Sequence, residues 1–509
     1  MSFVDEVLNQ KGLIVAFLLS LTVIGLYLHH VNRGFLITPE EIRSLSPKRW
    51  TVEEIKKMSA EYQKSPVDVM KHLPPKQDRR YIVVGGSGLI GSWIVIHLLL
   101  RGENPLAIRV IDIRQRSLKS LISTFQKHSC YDTLRKAYPL VGYEHADISS
   151  EDSTLRAFNA AWPTNVAKLP LTIFHTAAVI RMYERYKDFL PRSIPINIGG
   201  TRNVISAAKV SGADVLISTS SASINTRAPR WWLPPWRLYP QGSWQIERDE
   251  DFMLEDTYAD FVSNYNYTKA RAEKLIRGED DAKSGFRTGV IRPGNGVYGS
   301  GDDLTAGLFL KRGGSPTWMA HVFQNFVYVE NISIAHLLYE QRLLELRTHK
   351  GRPDIGGQSY IVTDPNPAIT FRDMHLCLET LANTKPKFPV LPPLPFFLMA
   401  NAIELYAVIQ HRYLSWLLPP PTGDALFLQP GTFGTCGHVI LDDSRARLSP
   451  EEGGLGYNAP WTTLQGLCKQ VQEWNAEHSD VSLVDRKTDG LVSTLTKPDE
   501  IVHALPQQL

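Results

Sequence analysis

Eight residues, Val84-Gly85-Gly86-Ser87-Gly88-Leu89-Ile90-Gly91, narrow the folds open to this chain more than any other stretch. They satisfy GxGxxG from Gly86 and GxxGxxG from Gly85. A buried-strand pattern, Tyr81-Ile-Val-Val, leads into them, and a helical pattern, Ser92-Trp-Ile-Val-Ile-His-Leu-Leu-Leu, leads out. Strand, glycine turn and helix together make the pattern a dinucleotide fingerprint rather than a chance cluster. Small residues let the backbone approach a pyrophosphate, and the helix N-terminus offers N–H groups at the positive end of its dipole. Gly85, Gly86, Gly88, Leu89, Ile90 and Gly91 are therefore expected to line the dinucleotide. Asp112 closes the next strand pattern, 21 residues past Gly91. A carboxylate there accepts hydrogen bonds from the adenosine ribose and repels a 2′-phosphate, which favours NAD. Arg114 and Arg116 lie close behind, soften that preference and leave NADP open.

Further buried-strand patterns occur at Ile108-Arg-Val-Ile-Asp, Leu171-Thr-Ile-Phe-His, Val215-Leu-Ile-Ser and Thr288-Gly-Val-Ile-Arg, separated by helical stretches. That alternation predicts an α/β, Rossmann-like, doubly wound parallel sheet. The expected organisation is an N-terminal membrane anchor over 1–33, a linker over 34–78, an NAD-binding domain over 79–300, a smaller substrate domain over 301–479 and a polar tail over 480–509. Helix starts at Pro39-Glu-Glu and Thr51-Val-Glu-Glu put two short helices in the linker. Two segments break the alternation. Residues 226–262, with Arg230-Trp-Trp-Leu-Pro-Pro-Trp-Arg, read either as a lid packing its tryptophans or as a loop dipping into a membrane interface. Residues 388–420 read either as a buried helix or as a membrane contact, and Glu404 in mid-run argues against a second span.

From Gly12 to Asn32 no residue is formally charged, a length that spans a hydrocarbon core as a helix. No small-x-small cleavage site follows. Lys11 alone precedes the run, whereas Arg33, Arg43, Lys48 and Arg49 follow it, so the positive-inside rule places the body in the cytosol. Asn266-Tyr-Thr and Asn331-Ile-Ser then count as chance glycosylation matches. The four cysteines are far apart and lack metal-ligand spacing, which argues against a zinc site or a disulfide framework. A net charge of +3 gives no reason to expect nucleic acid. No metal is expected, and self-association is left open.

Tyr265-Asn-Tyr-Thr-Lys269, with Ser220 and Ser221 upstream at a strand end, carries the chemistry. Positions i and i+4 share a helix face, so Tyr265 and Lys269 can address one site. A free phenol, with a pKa of about 10, is a poor base at neutral pH. An adjacent ammonium and a positive nicotinamide ring lower that value, letting the phenolate take a hydroxyl proton. A serine hydroxyl steadies the substrate oxygen. Ser221, Tyr265 and Lys269 are the expected catalytic set.

These motifs resemble the extended short-chain dehydrogenases, and among them the 3β-hydroxysteroid dehydrogenase and sterol-4α-carboxylate 3-dehydrogenase group. The cofactor loop has Val84 where that group usually has threonine. Ala146-Asp147-Ile resembles the adenine-contacting turn, and Phe174-His-Thr-Ala177-Ala the strand-four motif. Asn197 sits where the family has a structural asparagine, Thr219-Ser-Ser221 matches the serine motif, and Thr268 replaces the serine of YxxSK. Arg292-Pro-Gly-Asn-Gly-Val-Tyr-Gly and Asn325-Phe-Val-Tyr-Val-Glu-Asn-Ile-Ser-Ile-Ala-His336 are similar to the family's later segments. The resemblance implies that Asp147, Ala177, Tyr265 and Lys269 also contact the cofactor, with Lys269 on the nicotinamide ribose. It implies oxidation of a 3β-hydroxyl on a membrane-borne sterol or triterpenoid, with loss of carbon dioxide where a 4-carboxylate is present, at the endoplasmic reticulum. A plain hydroxysteroid dehydrogenase/isomerase and a non-catalytic membrane-tethered binding protein are the alternatives. Ser221 and Tyr265 stand 44 residues apart, longer than the family pattern, and the tryptophan-rich segment fills the gap. His175 and His336 are expected to be packed rather than catalytic. Arg181 reads as a solvated loop residue or as a partner for a substrate carboxylate.

Overall fold

A computed structural model describes residues 3–115, 122, 125, 130–251, 257–299, 303–349, 351–434 and 436–478, with side chains from Lys11 onward. Arg116 and the tail over 480–509 lie outside the described residues. The strands are β1 (Arg80–Val84), β2 (Ile108–Asp112), β3 (Gly142–His145), β4 (Leu171–His175), β5 (Ala213–Thr219), β6 (Trp244–Glu247), β7 (Arg287–Pro293), β8 (Val297–Tyr298), β9 (Phe323–Gln324), β10 (Val327–Tyr328), β11 (Ser359–Val362), β12 (Ile369–Thr370) and β13 (His438–Leu441). The helices that matter here are α1 (Phe3–Leu36), α2 (Glu40–Leu45), α3 (Val52–Lys64), α4 (Leu89–Leu100), α5 (Asn264–Gly278), α6 (Val329–Glu345), α7 (Phe371–Leu381), α8 (Pro393–Tyr413) and α9 (Thr463–Glu477).

Among the described residues the central sheet has seven strands in the order β11-β7-β5-β4-β1-β2-β3, every neighbouring pair parallel. Its inner strands are apolar runs because helices cover both faces, as parallel sheets require. The chain winds outward from β1 to β3 and then returns to β4 on the other side of β1. That reversal opens a crevice at the carboxyl ends of β1 and β4, where ligands bind in such sheets. Helix α4 starts at this crevice. It is apolar on all sides because the sheet lies under it and α6 packs over it.

A second, mixed sheet, β12-β9-β13-β6, forms the smaller half, and β8 pairs with β10. Strand β6 comes from the tryptophan-rich segment and lies parallel to β13, Trp244 opposite His438. The segment is therefore tied into the smaller half by backbone pairing, which no local pattern announced. Its tryptophans divide between the two readings: Trp231 is buried, whereas Trp236 is 82% exposed.

Residues 34–78 do more than connect. Ile42 of α2 is buried with Phe323 and Ala368, and Ile55 of α3 with Met374, Leu378 and Leu467. Arg49 pairs with Asp373, and Trp50 N–H donates to the same carboxylate at 3.0 Å. An amphipathic helix that finds an apolar groove on α7 and α9 becomes part of the fold.

Helices α1 and α8 are each long and apolar enough to cross a membrane, judged by length and composition. From Leu13 to Leu26 the large apolar side chains of α1 are exposed, whereas Val31 and Phe35 are buried against Trp231, Leu394 and Phe397.

Candidate active site

The glycine loop makes room by omitting side chains. Gly85 has φ +79°, and a Cβ there would fall 2.6 Å from Ala177 N. At Gly91 a Cβ would fall 2.3 Å from the Gly85 carbonyl, and at Gly86 2.9 Å from the Val110 side chain. Gly88 is the N-cap of α4, followed by half-buried Leu89 and Ile90, so the unpaired N–H groups of the first helical turn start there.

Asp112 ends β2 beside this loop. Its carboxylate accepts the Ser87 N–H at 3.1 Å and the Arg114 N–H at 3.2 Å. Burial raises its pKa above the ordinary value, with those N–H groups opposing. The Ala146 N–H bonds to the Asp112 carbonyl at 3.2 Å, which carries the turn holding Asp147 to the same edge. Asp147 itself accepts from Ser149 N–H and Oγ–H at 2.9 and 2.8 Å. Ala177 follows β4 against Gly85, and Thr176 Oγ1 donates to the Val84 carbonyl at 2.9 Å. A backbone cradle that any Cβ would fill, with a carboxylate at the second strand's end, fits a dinucleotide.

Across the crevice β5 ends at Thr219, and Ser221 caps the turn that follows. Ser263 caps α5 by accepting the Asn266 N–H, which starts the helix one residue before Tyr265. Tyr265 and Lys269 are buried one turn apart. Tyr265 lies beside Ser221, whose Oγ shares a 2.8 Å hydrogen bond with Ser223 Oγ. The Lys269 ammonium donates to the Thr219 carbonyl at 2.5 Å. Burial pushes Lys269 down to about 8, with the charge of Glu273 opposing. Burial pushes Tyr265 up to about 12, opposed by the side chain of Ser221.

Several supporting residues escaped the sequence reading. The Thr219 carbonyl that seats Lys269 is a backbone group and leaves no side-chain signal. Thr219 Oγ1 meets His336 Nε2 at 2.7 Å, while His336 Nδ1 lies 2.8 Å from the Ile332 carbonyl. Glu273 lies one turn beyond Lys269 and was findable from that spacing. Burial alone would raise Glu273, but Arg292, with Nη2 at 2.6 Å, holds it below its usual value. Asn197 bridges both backbone groups of Val179 and donates to Thr268 Oγ1 at 3.0 Å, so the threonine does the anchoring expected of a serine. His175 and His336 are fully enclosed, and burial pushes them down to about 3 and about 4; Lys269's charge adds to the effect at His175. Both are packed neutral rings. Arg181 is not a solvated loop residue: its side chain is 18% exposed and lies 3.7 Å from Glu184. Its Nε is buried and has no partner among the described residues.

The sheet, the glycine cradle and the serine–tyrosine–lysine cluster define a dinucleotide-dependent dehydrogenase of the extended short-chain type. The fold alone is also that of the crystal structure of gox2253, with a TM-score of 0.50 at 17% identity, covering 78% of this chain and 98% of that one. Residues 82–392 match the 3-beta hydroxysteroid dehydrogenase/isomerase family, and the chain belongs to it. It is similar to the decarboxylating sterol-4-alpha-carboxylate 3-dehydrogenase of Candida albicans, 27% identical over 294 residues, 56% of this chain and 70% of that protein. It is also similar to the 3 beta-hydroxysteroid dehydrogenase/Delta 5-->4-isomerase of Mycobacterium tuberculosis, 24% identical over 397 residues, 76% of this chain and 88% of that one.

Proposed function

We propose that this chain oxidises a 3β-hydroxyl on a sterol or triterpenoid with NAD, with loss of carbon dioxide where the substrate carries a 4-carboxylate. The observation that carries the reading is Tyr265 buried beside Ser221, with Lys269 buried one turn away on the same helix. Gly85, Gly86, Gly88 and Gly91, with Leu89 and Ile90, would hold the pyrophosphate, and Asp112, Asp147 and Ala177 the adenosine side. Bound there, the dinucleotide would supply the hydride acceptor and a positive ring beside the phenol. Tyr265 Oη takes the proton of the substrate hydroxyl, and Ser221 Oγ donates to the same substrate oxygen. Ser223 and Asn266 keep Ser221 in place: the Ser223 N–H reaches Ser221 Oγ at 3.3 Å, and Asn266 Nδ2 bonds to the Ser223 carbonyl. Lys269 exchanges the Thr219 carbonyl for a ribose hydroxyl and holds positive charge near the phenolate.

In a 4-carboxylated substrate, the new ketone lies β to the carboxylate. The electrons of the bond to the leaving carbon then pass into an enolate, and carbon dioxide departs without a metal. Helix α1 serves as a single membrane span, with the body in the cytosol at the endoplasmic reticulum. A second reading, dehydrogenation with isomerisation and no decarboxylation, is favoured by the longer match to the mycobacterial relative. The test incubates the purified full-length chain with NAD and a sterol labelled in its 4-carboxylate. NADH with labelled carbon dioxide supports the first reading. NADH only with uncarboxylated 3β-hydroxysteroids supports the second. No NADH from any sterol would overturn both and leave a binding protein.

A further inference from the structure

Helix α8 has two faces, and neither is that of a helix bathed in water. Its inner face, with Leu394, Phe397, Ala400, Glu404, Ala407 and Val408, is buried. The outer face carries Leu398, Met399, Ala402, Leu405, Tyr406, Ile409 and Tyr413, all exposed. At 100° per residue these seven fall on one stripe, and every position on it is apolar or aromatic. A soluble helix with one buried face presents polar residues on the other. The mid-run carboxylate that argues against a second span is turned inward, where Glu404 makes a bidentate pair with Arg185.

The stripe continues beyond α8. Trp416 is 80% exposed, with Leu417 beside it. At the other end of α8, where Trp232 meets Phe397, the turn between Trp231 and Gln241 presents Trp232, Trp236 and Leu238 to the outside, flanked by exposed Arg230 and Arg237. Tryptophan and tyrosine favour the headgroup level of a bilayer, and arginine there meets anionic lipid.

Helix α1 sets the level of this surface. Leu26 is exposed and Val31 is fully buried, so α1 enters the protein body within about one and a half turns. At that point Phe35 stacks on Trp231 with ring centroids 4.4 Å apart, and Asn32 Oδ1 accepts the Leu394 N–H at 3.1 Å. The same few residues therefore fix α8, the tryptophan turn and the emerging anchor to one another.

We propose that the outer stripe of α8 and the tryptophan turn rest in the headgroup region of the bilayer that α1 crosses. The proposal rests on the reading of α1 as a membrane anchor. It also gives the substrate a route. A cavity of about 190 Å³ is lined by Trp231 of this turn and Phe397 of α8, together with Arg185, Tyr258, Phe261 and Val262. Val262 stands three residues before Tyr265. The cavity is smaller than the roughly 300–1,000 Å³ usual for a small-molecule site, so a polycyclic substrate needs its wall to part. Trp231 of that wall belongs to the bilayer-facing turn. A sparingly soluble substrate can then enter this cavity from lipid without crossing water.

The experiment uses the full chain, with Cys130→Ser to remove the half-exposed cysteine, reconstituted in phosphatidylcholine–phosphatidylserine vesicles. Single nitroxide labels are placed through Trp236→Cys, Leu405→Cys and Trp416→Cys, with Val15→Cys on the anchor and Val210→Cys on the distant body as references. Relaxation by oxygen, which partitions into lipid, is compared with relaxation by a water-soluble nickel chelate. We expect oxygen to dominate several-fold at 236, 405, 416 and 15, and the chelate to dominate at 210. Chelate dominance at 236, 405 and 416, with 15 still in lipid, would overturn the seat and leave the anchor standing. An aqueous signal at 15 as well would overturn the anchor and the proposal with it. Exclusion of both reagents at the three sites would mean that protein, not lipid, covers the face, and would overturn the proposal too.

Discussion

Two lysines in this molecule are equally buried and have opposite fates. Lys269 sits in the crevice, with a carbonyl as its hydrogen-bond acceptor and Glu273 as a charge further along the helix, and burial pushes it down to about 8. Lys469 sits in the core beneath α4, 2.5 Å from Glu330, ringed by Trp93, Tyr328 and Trp461 at 4.9 to 5.6 Å. Burial would lower its pKa too, but the charge of Glu330 outweighs it and holds Lys469 well above its usual value. Glu330 in turn is held down to about 2, with His97 helping at 3.4 Å. The difference lies in the partner. A buried charge matched by a carboxylate and aromatic faces locks helices together. A buried charge left facing a carbonyl is held at some cost to stability and stays available to a ligand.

The largest effects should separate the two. Tyr265→Phe removes the proton acceptor and should lower turnover by about 10²- to 10⁴-fold, with NAD binding still measurable by fluorescence titration. Lys269→Met should be comparably damaging to turnover and should also weaken NAD binding. Its denaturation midpoint should nonetheless equal or exceed that of the parent, since a buried charge is replaced by an apolar chain. Turnover within twofold of the parent in either variant would remove these residues from the chemistry.

Lys469→Met should do the reverse. It leaves Glu330 buried with His97 as its hydrogen-bond partner and Glu473 as a second carboxyl nearby, and should cost about 3–5 kcal/mol in urea denaturation. Turnover per folded molecule should stay near that of the parent. Adding Glu330→Gln should restore part of the loss, because the stranded charge is removed. A midpoint unchanged by Lys469→Met would mean that the aromatic ring, not the ion pair, holds this region.

A smaller effect tests the cofactor edge. Asp112 is the carboxylate whose burial is tolerated beside the glycine loop. Asp112→Ser should shift the ratio of kcat/KM for NAD over NADP by roughly tenfold toward NADP, about 1.4 kcal/mol. A parent that already prefers NADP would contradict the reading of Asp112 and turn attention to Arg114.

The comparison also shows what a sequence can and cannot reveal. Residues 84–91 and 265–269 were legible because their spacing is local: a strand, a glycine turn and a helix, then two side chains one turn apart. The same holds for His175 and His336, whose apolar surroundings are adjacent in the chain. Lys469 was illegible, since its carboxylate lies 139 positions upstream and Trp93, Tyr328 and Trp461 come from α4, β10 and the loop before α9. The strand Trp244–Glu247 found its partner at His438–Leu441 by long-range pairing, and Trp231 found Phe35 the same way. Spacing likewise shows that Lys269 is near Tyr265, but not that its ammonium is seated on the Thr219 carbonyl.

The smallest expected effect is the most specific to the contrast, because it depends on pH. Lys269 has a folded value of about 8 against an ordinary value near 10.5. Below pH 8 it is protonated both folded and unfolded, and the full penalty of burying the charge is present. Between about 8 and 10.5 the unfolded chain holds more protons than the folded one, so stability rises with pH through this group. The advantage of Lys269→Met over the parent should therefore be largest at pH 7 and shrink by roughly 1 kcal/mol by pH 9. Lys469 is shifted the other way, so its stabilising contribution is complete below 10.5 and is lost only above that. The deficit of Lys469→Met should instead grow from pH 7 to 9, because Glu473, pushed up to about 7 by burial with the Lys469 charge opposing, loses that opposing charge and titrates higher still in the variant. Parallel urea titrations of the parent and both variants at pH 7, 8 and 9 make the measurement, with midpoints read as differences from the parent so that groups untouched by the substitution cancel. A flat difference for Lys269→Met would mean that its ammonium is stabilised in the fold by a partner stronger than the Thr219 carbonyl. The distinction between the two lysines would then rest on position alone.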